Sequence, residues 1–202
     1  MATRVVPSQL DDILLLKFES DDGYARLTRD VLTELTRQME WLKHAPELRG
    51  AVIAGSDRAF AVGADIAEVA ELTASDAVEF SRYGQSMMSL ISSNDKPVAA
   101  AIRGYCLGGG LDLALACHAR IATPDAEFAH PGGAIGIMTG WGGTQRLPRL
   151  IGRSLALDMP ITGRRLDAQE ALACGLVQAI VPAPELLRAG ARLLRRWSRA
   201  EK

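Results

Sequence analysis

Aromatic residues are scarce, at 5% of the 202-residue chain, and no apolar run approaches the roughly 18 residues that a membrane span requires. The best candidate, Pro97 to Ile102, is cut short at once by Arg103. The first residues, Met1-Ala-Thr-Arg-Val-Val-Pro7, lack the charged-then-apolar layout of a secretory signal. Three cysteines, Cys106, Cys117 and Cys174, form no CxxC pair and leave one over in any disulfide scheme. Buried thiols in a reducing compartment are therefore expected, the cytoplasm being the default, with no metal site. Low hydrophobicity coupled to high net charge is also absent: the chain is 48% hydrophobic with a net charge of −1, which excludes disorder. Basic residues are not interleaved with aromatics and no nucleic-acid motif occurs, so no nucleic-acid partner is expected.

What is present is the composition and length of one globular domain. The charge is uneven: residues 146–202 carry 11 Lys/Arg against 5 Asp/Glu. Short β-runs alternate with helical patterns. Ile13 to Phe18, Ala51 to Ala54, Val98 to Ile102, Ile121 to Thr123 and Glu127 to Ala129 read as strands. Leu32, Leu35, Met39 and Leu42 recur at helical spacing, and His44 falls where a C-terminal cap would sit. Thr73 with Asp76 forms a capping-box pattern before a second helix. Leu111 to Cys117 reads as a helix, and another opens near Gly142. Strand then helix, repeated with short connections, is the α/β signature. Residues 1–184 are expected to form the core domain. Residues 185–202 are expected to form an amphipathic helix of the same domain, with Leu186, Leu187, Leu193, Leu194 and Trp197 on one face and Arg188, Arg192, Arg195 and Arg199 on the other.

Two glycine loops are the most informative segments. The first is Ala59-Phe-Ala-Val-Gly-Ala-Asp65 after a strand; the second is Gly104-Tyr-Cys-Leu-Gly-Gly-Gly110 between a strand and a helix. Glycines at a helix start let backbone approach a ligand closely and turn free N–H groups toward developing negative charge. Two such loops facing each other would make an oxyanion hole. Phosphate-loop alternatives do not fit, because neither loop has the Walker lysine with Ser/Thr or GxGxxG followed by an acidic residue.

Taken together, these strings resemble the crotonase (enoyl-CoA hydratase/isomerase) superfamily. Ala59-Phe-Ala-Val-Gly-Ala-Asp-Ile is similar to its first oxyanion loop and Lys96 to Cys117 to its second. Gly142-Gly-Thr-Gln-Arg-Leu-Pro-Arg-Leu-Ile-Gly and Ala168-Gln-Glu-Ala-Leu-Ala-Cys-Gly-Leu-Val match later blocks in order, so the resemblance covers roughly residues 10 to 195. It implies an α/β fold, a crotonase-like spiral of ββα units in two stacked sheets flanked by helices, here with a shortened C-terminal helical segment. It also implies an acyl-CoA thioester as substrate with no separate cofactor, a homotrimer or hexamer, and a place in fatty acid metabolism. The thioester-holding amides carry over to Ala64 and Gly109, with Ala61, Val62, Gly63, Asp65, Leu107 and Gly108 around them on the binding side.

Hydratases of the family use two glutamates about the substrate double bond. The first position falls on Asp112, a carboxylate one methylene shorter. The second falls on Gly132, which has no proton to give or take. His130, two residues upstream and on the same face if that segment is extended, is the candidate replacement. Trp141, in the glycine-rich turn before the Gly142 helix, falls near the end of the acyl chain. His118 occupies a position that looks structural, and Arg26 lies near the early CoA-contacting loop. The expected function is an enoyl-CoA hydratase/isomerase-like enzyme that stabilises a thioester enolate through Ala64 and Gly109, with Asp112 and His130 moving protons. The alternatives are a catalytically silent acyl-CoA binder or scaffold, or another reaction of the family such as thioester hydrolysis or decarboxylation.

Overall fold

The structure is a computed structural model that describes residues 2–200, with side chains through Trp197. In chain order it opens with strands β1 (Thr3–Leu10) and β2 (Ile13–Ser20), helix α1 (Arg29–His44), and strands β3 (Gly50–Ala54) and β4 (Ala59–Ala61). Helices α2 (Ile66–Ala70) and α3 (Ala74–Ser92) lead to β5 (Val98–Ile102), β6 (Tyr105–Leu107) and α4 (Gly109–Ala116). Strands β7 (Ala119–Ala122) and β8 (Glu127–Ala129) precede a 3-10 turn (Pro131–Ile135) and helices α5 (Gly143–Ile151) and α6 (Arg153–Thr162). The chain then runs through β9 (Leu166–Asp167), α7 (Ala168–Ala173), β10 (Ala179–Ile180) and α8 (Leu186–Ala200).

A long strand, a short strand and then a helix recur through β3-β4-α3 and β5-β6-α4, and β7-β8 begins a third turn. The longer strands, with the two-residue β10 at one edge, join one six-stranded sheet in the order β1-β2-β3-β5-β7-β10, and the other short strands form a four-stranded sheet in the order β4-β6-β8-β9. Within the first sheet β2, β3, β5 and β7 pair in parallel; within the second β4, β6 and β8 do the same. This is the spiral of two sheets that the resemblance implied. The first strand was not foreseen. It pairs antiparallel with β2 through a turn at Asp11, whose φ of 55° places it in the left-handed region that aspartate tolerates.

Period-two alternation sorts the sheet residues to two cores. Ala51, Ile53, Val98, Ala100 and Ile102 face α1, α3 and α4. Val52, Ala54, Ala99, Ala101, Ala119 and Ile121 face α8, where Leu186 and Leu194 are buried. The small alanines let α8 lie flat on the sheet, and full burial of Leu194 contributes about 2 kcal/mol. So α8 docks on the chain's own core, and its basic side is tied down where Arg195 pairs with Asp11 and Asp12 at 2.9 and 2.6 Å. Residues 201 and 202 and the Arg199 side chain lie outside the described residues.

Helix starts follow the sequence closely. Thr28 caps α1 by accepting from the Val31 amide, and Thr73 and Asp76 form the full capping box of α3. The C-terminal carbonyls of α1 are served differently from expectation: the Lys96 ammonium, not His44, donates to the Leu42 and Ala45 carbonyls. His118 is structural, its Nδ1 accepting from the Val98 amide at 3.0 Å. No helix among the described residues is long and apolar enough to cross a membrane.

Candidate active site

The two glycine loops meet. Gly110 at the start of α4 lies against the Ala61 carbonyl so closely that a Cβ there would overlap it, and this contact brings the β4 loop onto the helix N-terminus. A Cβ on Gly109 would lie 3.4 Å from the Ala64 amide nitrogen, and one on Gly63 would lie 3.3 Å from the Gly109 nitrogen, so the two amides are neighbours. Backbone bonds brace both loops: Leu27 donates to Gly63 at 2.8 Å, Val62 to Ala25 at 2.9 Å, and Gly108 to Ala129 at 2.9 Å. Among the described residues no acceptor takes the Ala64 or Gly109 N–H. Two unengaged donors at the positive end of α4 suit an oxygen that gains negative charge.

These amides border a cavity of about 640 Å³. Val62, Gly63, Ala64, Gly108, Gly109, Asp112, His130, Gly132 and Trp141 all line it, and most of the remaining wall is apolar, including Val69, Leu72, Phe80 and Ile137. Three residues placed at the site by the sequence stand behind it. Ala61 and Leu107 belong to strands β4 and β6, and Asp65 caps α2 by accepting from the Ala67 amide at 2.9 Å. Arg26, too, is committed elsewhere: it pairs with Asp22 at 2.9 Å.

One turn into α4, Asp112 is 1% exposed. Its Oδ2 accepts from the Thr139 hydroxyl and, at 3.2 Å, from the Trp141 amide. Its Oδ1 makes no hydrogen bond and lies 3.7 Å from Nε2 of His130, which is 3% exposed and has neither ring nitrogen partnered. Burial raises the Asp112 pKa from 3.8 to about 6, against the Thr139 hydroxyl, the Trp141 amide, the Arg146 guanidinium and the Gly143 amide, which pull it down. Burial also lowers His130 from 6.5 to about 4. At neutral pH the pair is thus a carboxylate beside a neutral imidazole, not an ion pair. Gly143 packs on both groups; a Cβ there would overlap Oδ1 and sit 2.9 Å from Nε2.

The expected extended run from His130 to residue 132 is not found, since the chain turns into the 3-10 helix at Pro131. Within that turn the Gly132 carbonyl accepts from the Ile137 amide at 2.8 Å, and a Cβ on Gly132 would overlap the Ile137 carbonyl. Residue 132 therefore lacks not only a carboxylate but the room for any side chain. Trp141, 4% exposed, closes the opposite wall: its indole packs edge-on to Phe80 at 5.4 Å and against Gly109, whose Cβ would lie 2.8 Å from Cε3.

Thr139 was missed in the sequence. It stands 27 residues from the carboxylate it holds, in a glycine-rich turn with no spacing signal of its own. Among the described residues no group of His, Cys, Asp and Glu is arranged to hold a metal ion.

Comparisons with known proteins show the family and the fold. The sequence profile of the enoyl-CoA hydratase/isomerase family matches residues 10–202. A crotonyl-CoA hydratase from Syntrophomonas wolfei is 42% identical over 162 residues, 80% of this chain and 62% of that protein. The fatty acid oxidation complex subunit alpha of Shewanella putrefaciens is 40% identical over 198 residues, 90% of this chain and 28% of that protein. This chain therefore spans less than two thirds of the length of either relative. Among solved structures, Pseudomonas aeruginosa DspI superposes with a TM-score of 0.90 at 31% identity, covering 96% of this chain and 80% of that one.

Proposed function

The chain belongs to the enoyl-CoA hydratase/isomerase family, and from that membership and its site we propose that it binds an acyl-CoA thioester and stabilises the enolate formed from it. The observation that carries the reading is the pair of neighbouring, unengaged N–H groups of Ala64 and Gly109, with the buried Asp112 carboxylate one helical turn away in the same cavity. The thioester carbonyl accepts from both amides. Charge that develops on its oxygen meets fixed dipoles that need no reorganisation, a contribution of about 3–4 kcal/mol per donor. Asp112 is the base that takes the C2 proton, and its raised pKa suits a group that must both accept and return a proton near neutrality. His130 is the second proton-handling group, and Trp141 and the apolar wall hold the acyl chain. The CoA thioester is the substrate and this chemistry calls for no other cofactor. An enoyl-CoA hydratase or isomerase acting in the cytoplasm as a homotrimer or hexamer is the corresponding assignment.

A second reading, a silent acyl-CoA binder or scaffold, is favoured by one observation: residue 132 offers neither a carboxylate nor space for one. The two readings part in one assay. Crotonyl-CoA and a longer enoyl-CoA are titrated for binding and followed by the absorbance of the conjugated thioester. The enzyme reading expects saturable binding with turnover that disappears in Asp112→Asn. Tight binding of both thioesters with no turnover of these or of a 3-enoyl-CoA would establish the silent binder.

A further inference from the structure

His130 stands in the wall between two cavities. One is the acyl cavity described above. The other, of about 560 Å³, lies between α5 and α6 and is bordered by Gln145, Arg149, Arg153 and Leu157. Arg149, Arg153 and Leu157 are exposed, so this second cavity opens to solvent on its own side. The two cavities share His130, Met138, Thr139 and Pro160, and of these His130 alone carries an ionisable group.

Two features make this partition unusual. Both nitrogens of a side chain 97% withdrawn from solvent have no partner, as has Oδ1 of Asp112 at 3.7 Å from Nε2. Buried polar atoms are rarely left so, and an imidazole without bonds costs free energy unless it exchanges partners. A bound acyl thioester, meanwhile, would fill the apolar cavity and remove Asp112 from the only solvent it meets on that side.

Resting on the acyl-CoA reading, we infer that His130 is a proton relay: it connects the Asp112 carboxyl to water in the α5–α6 cavity while the acyl cavity is occupied. The proton balance closes. Asp112 takes the C2 proton and the thioester becomes an enolate held by the Ala64 and Gly109 amides. The carboxylic acid passes that proton to the free nitrogen of the neutral imidazole, directly after a small rotation or through one water. The other ring nitrogen gives its proton to water in the second cavity. The ring has changed tautomer, and a proton returning from the second cavity by the reverse path resets it. No redox change and no further reactant is involved. A neutral imidazole beside a carboxyl of raised pKa is the state this relay requires.

The test uses butyryl-CoA, a saturated thioester that cannot be hydrated, in deuterium oxide, with deuterium at C2 read by mass spectrometry. Wild type should bind it and incorporate deuterium. Leu157→Trp, an exposed substitution that narrows the second cavity without touching the acyl cavity, should leave Kd for butyryl-CoA within about twofold and slow incorporation about tenfold. His130→Leu, checked for folding by thermal unfolding, should slow incorporation by at least as much. Wild-type incorporation rates in both variants would overturn the relay, and so would wild-type binding without incorporation. Failure of wild type to bind butyryl-CoA would overturn the acyl-CoA reading and the relay with it.

Discussion

One wall of the acyl cavity is built from backbone and the other from side chains. On the first, Ala64 and Gly109 present amides whose positions are set by loop-to-loop contact at Gly110 and by the braces from Ala25, Leu27 and Ala129. On the second, Asp112, His130 and Thr139 depend on a 3-10 turn and the first turn of α5, and three of their buried polar atoms, Asp112 Oδ1 and both His130 ring nitrogens, lack partners. The backbone wall can change little without losing the fold of the loops. The side-chain wall holds an aspartate beside an imidazole, with no room for a side chain at residue 132. In the proposed function, anion stabilisation is thus assigned to the fixed part of the site and proton handling to the adjustable part.

The sharpest way to break that contrast is to damage the fixed wall. Gly109→Leu drives a side chain into the Trp141 indole and the Ala64 amide, and should lower kcat/KM by about 100- to 1,000-fold in steady-state assays. Next comes Asp112→Asn, which should reduce turnover by a factor of about 100 while raising stability. The carboxylate is ionised at a cost: a pKa moved from 3.8 to about 6 corresponds to roughly 3 kcal/mol at neutral pH. Because the folded value lies above the unfolded one, the penalty is absent below the lower value, grows as pH rises between the two and is complete above the upper one. The stability gain of Asp112→Asn in denaturant melts should accordingly be present at pH near 7 and vanish by pH near 4. His130 acts in the opposite sense: its folded pKa is depressed, so stability is lost as pH falls from 6.5 toward about 4.

A smaller effect is expected where a carboxylate is put back. Gly132→Glu should not restore a two-glutamate site, because its Cβ overlaps the Ile137 carbonyl; it should cost about 1–3 kcal/mol in stability and leave turnover no higher. The smallest is Thr139→Val, which keeps the side chain's shape but removes a donor to Asp112 Oδ2. In wild type the rate should rise with pH through about 6 as Asp112 ionises. In Thr139→Val that limb should move upward by roughly one unit, since a bond to the charged form is lost.

The same division governs how much could be read from the sequence. The two glycine loops were legible, because a close backbone approach beside a strand and a helix start demands glycine, whereas the roles given to the Ala64 and Gly109 amides and to Asp112 came from the resemblance to the crotonase superfamily. Strands β2, β3, β5 and β8 and the cap at Thr73 show the same local logic. The opposite wall is made by tertiary contact. Nothing in sequence places Thr139 on Asp112 or a Cβ-free Gly143 against both Asp112 and His130. The turn at Pro131 defeats an extended reading that the Phe128-Ala-His run invites. Asp65 looked like part of the site because it adjoins Ala64, yet its side chain caps α2. Short strands such as β4 and β6, three residues each, are likewise set by neighbours more than by pattern.

The central claim is that the Ala64 and Gly109 amides polarise a thioester carbonyl. It is tested most directly by the absorbance of crotonyl-CoA bound to Asp112→Asn, where turnover is removed and the amides remain. The account predicts that the enone band moves to longer wavelength on saturable binding, and that the shift is lost when Gly109→Leu is added. Saturable binding to Asp112→Asn with the band unmoved would contradict it.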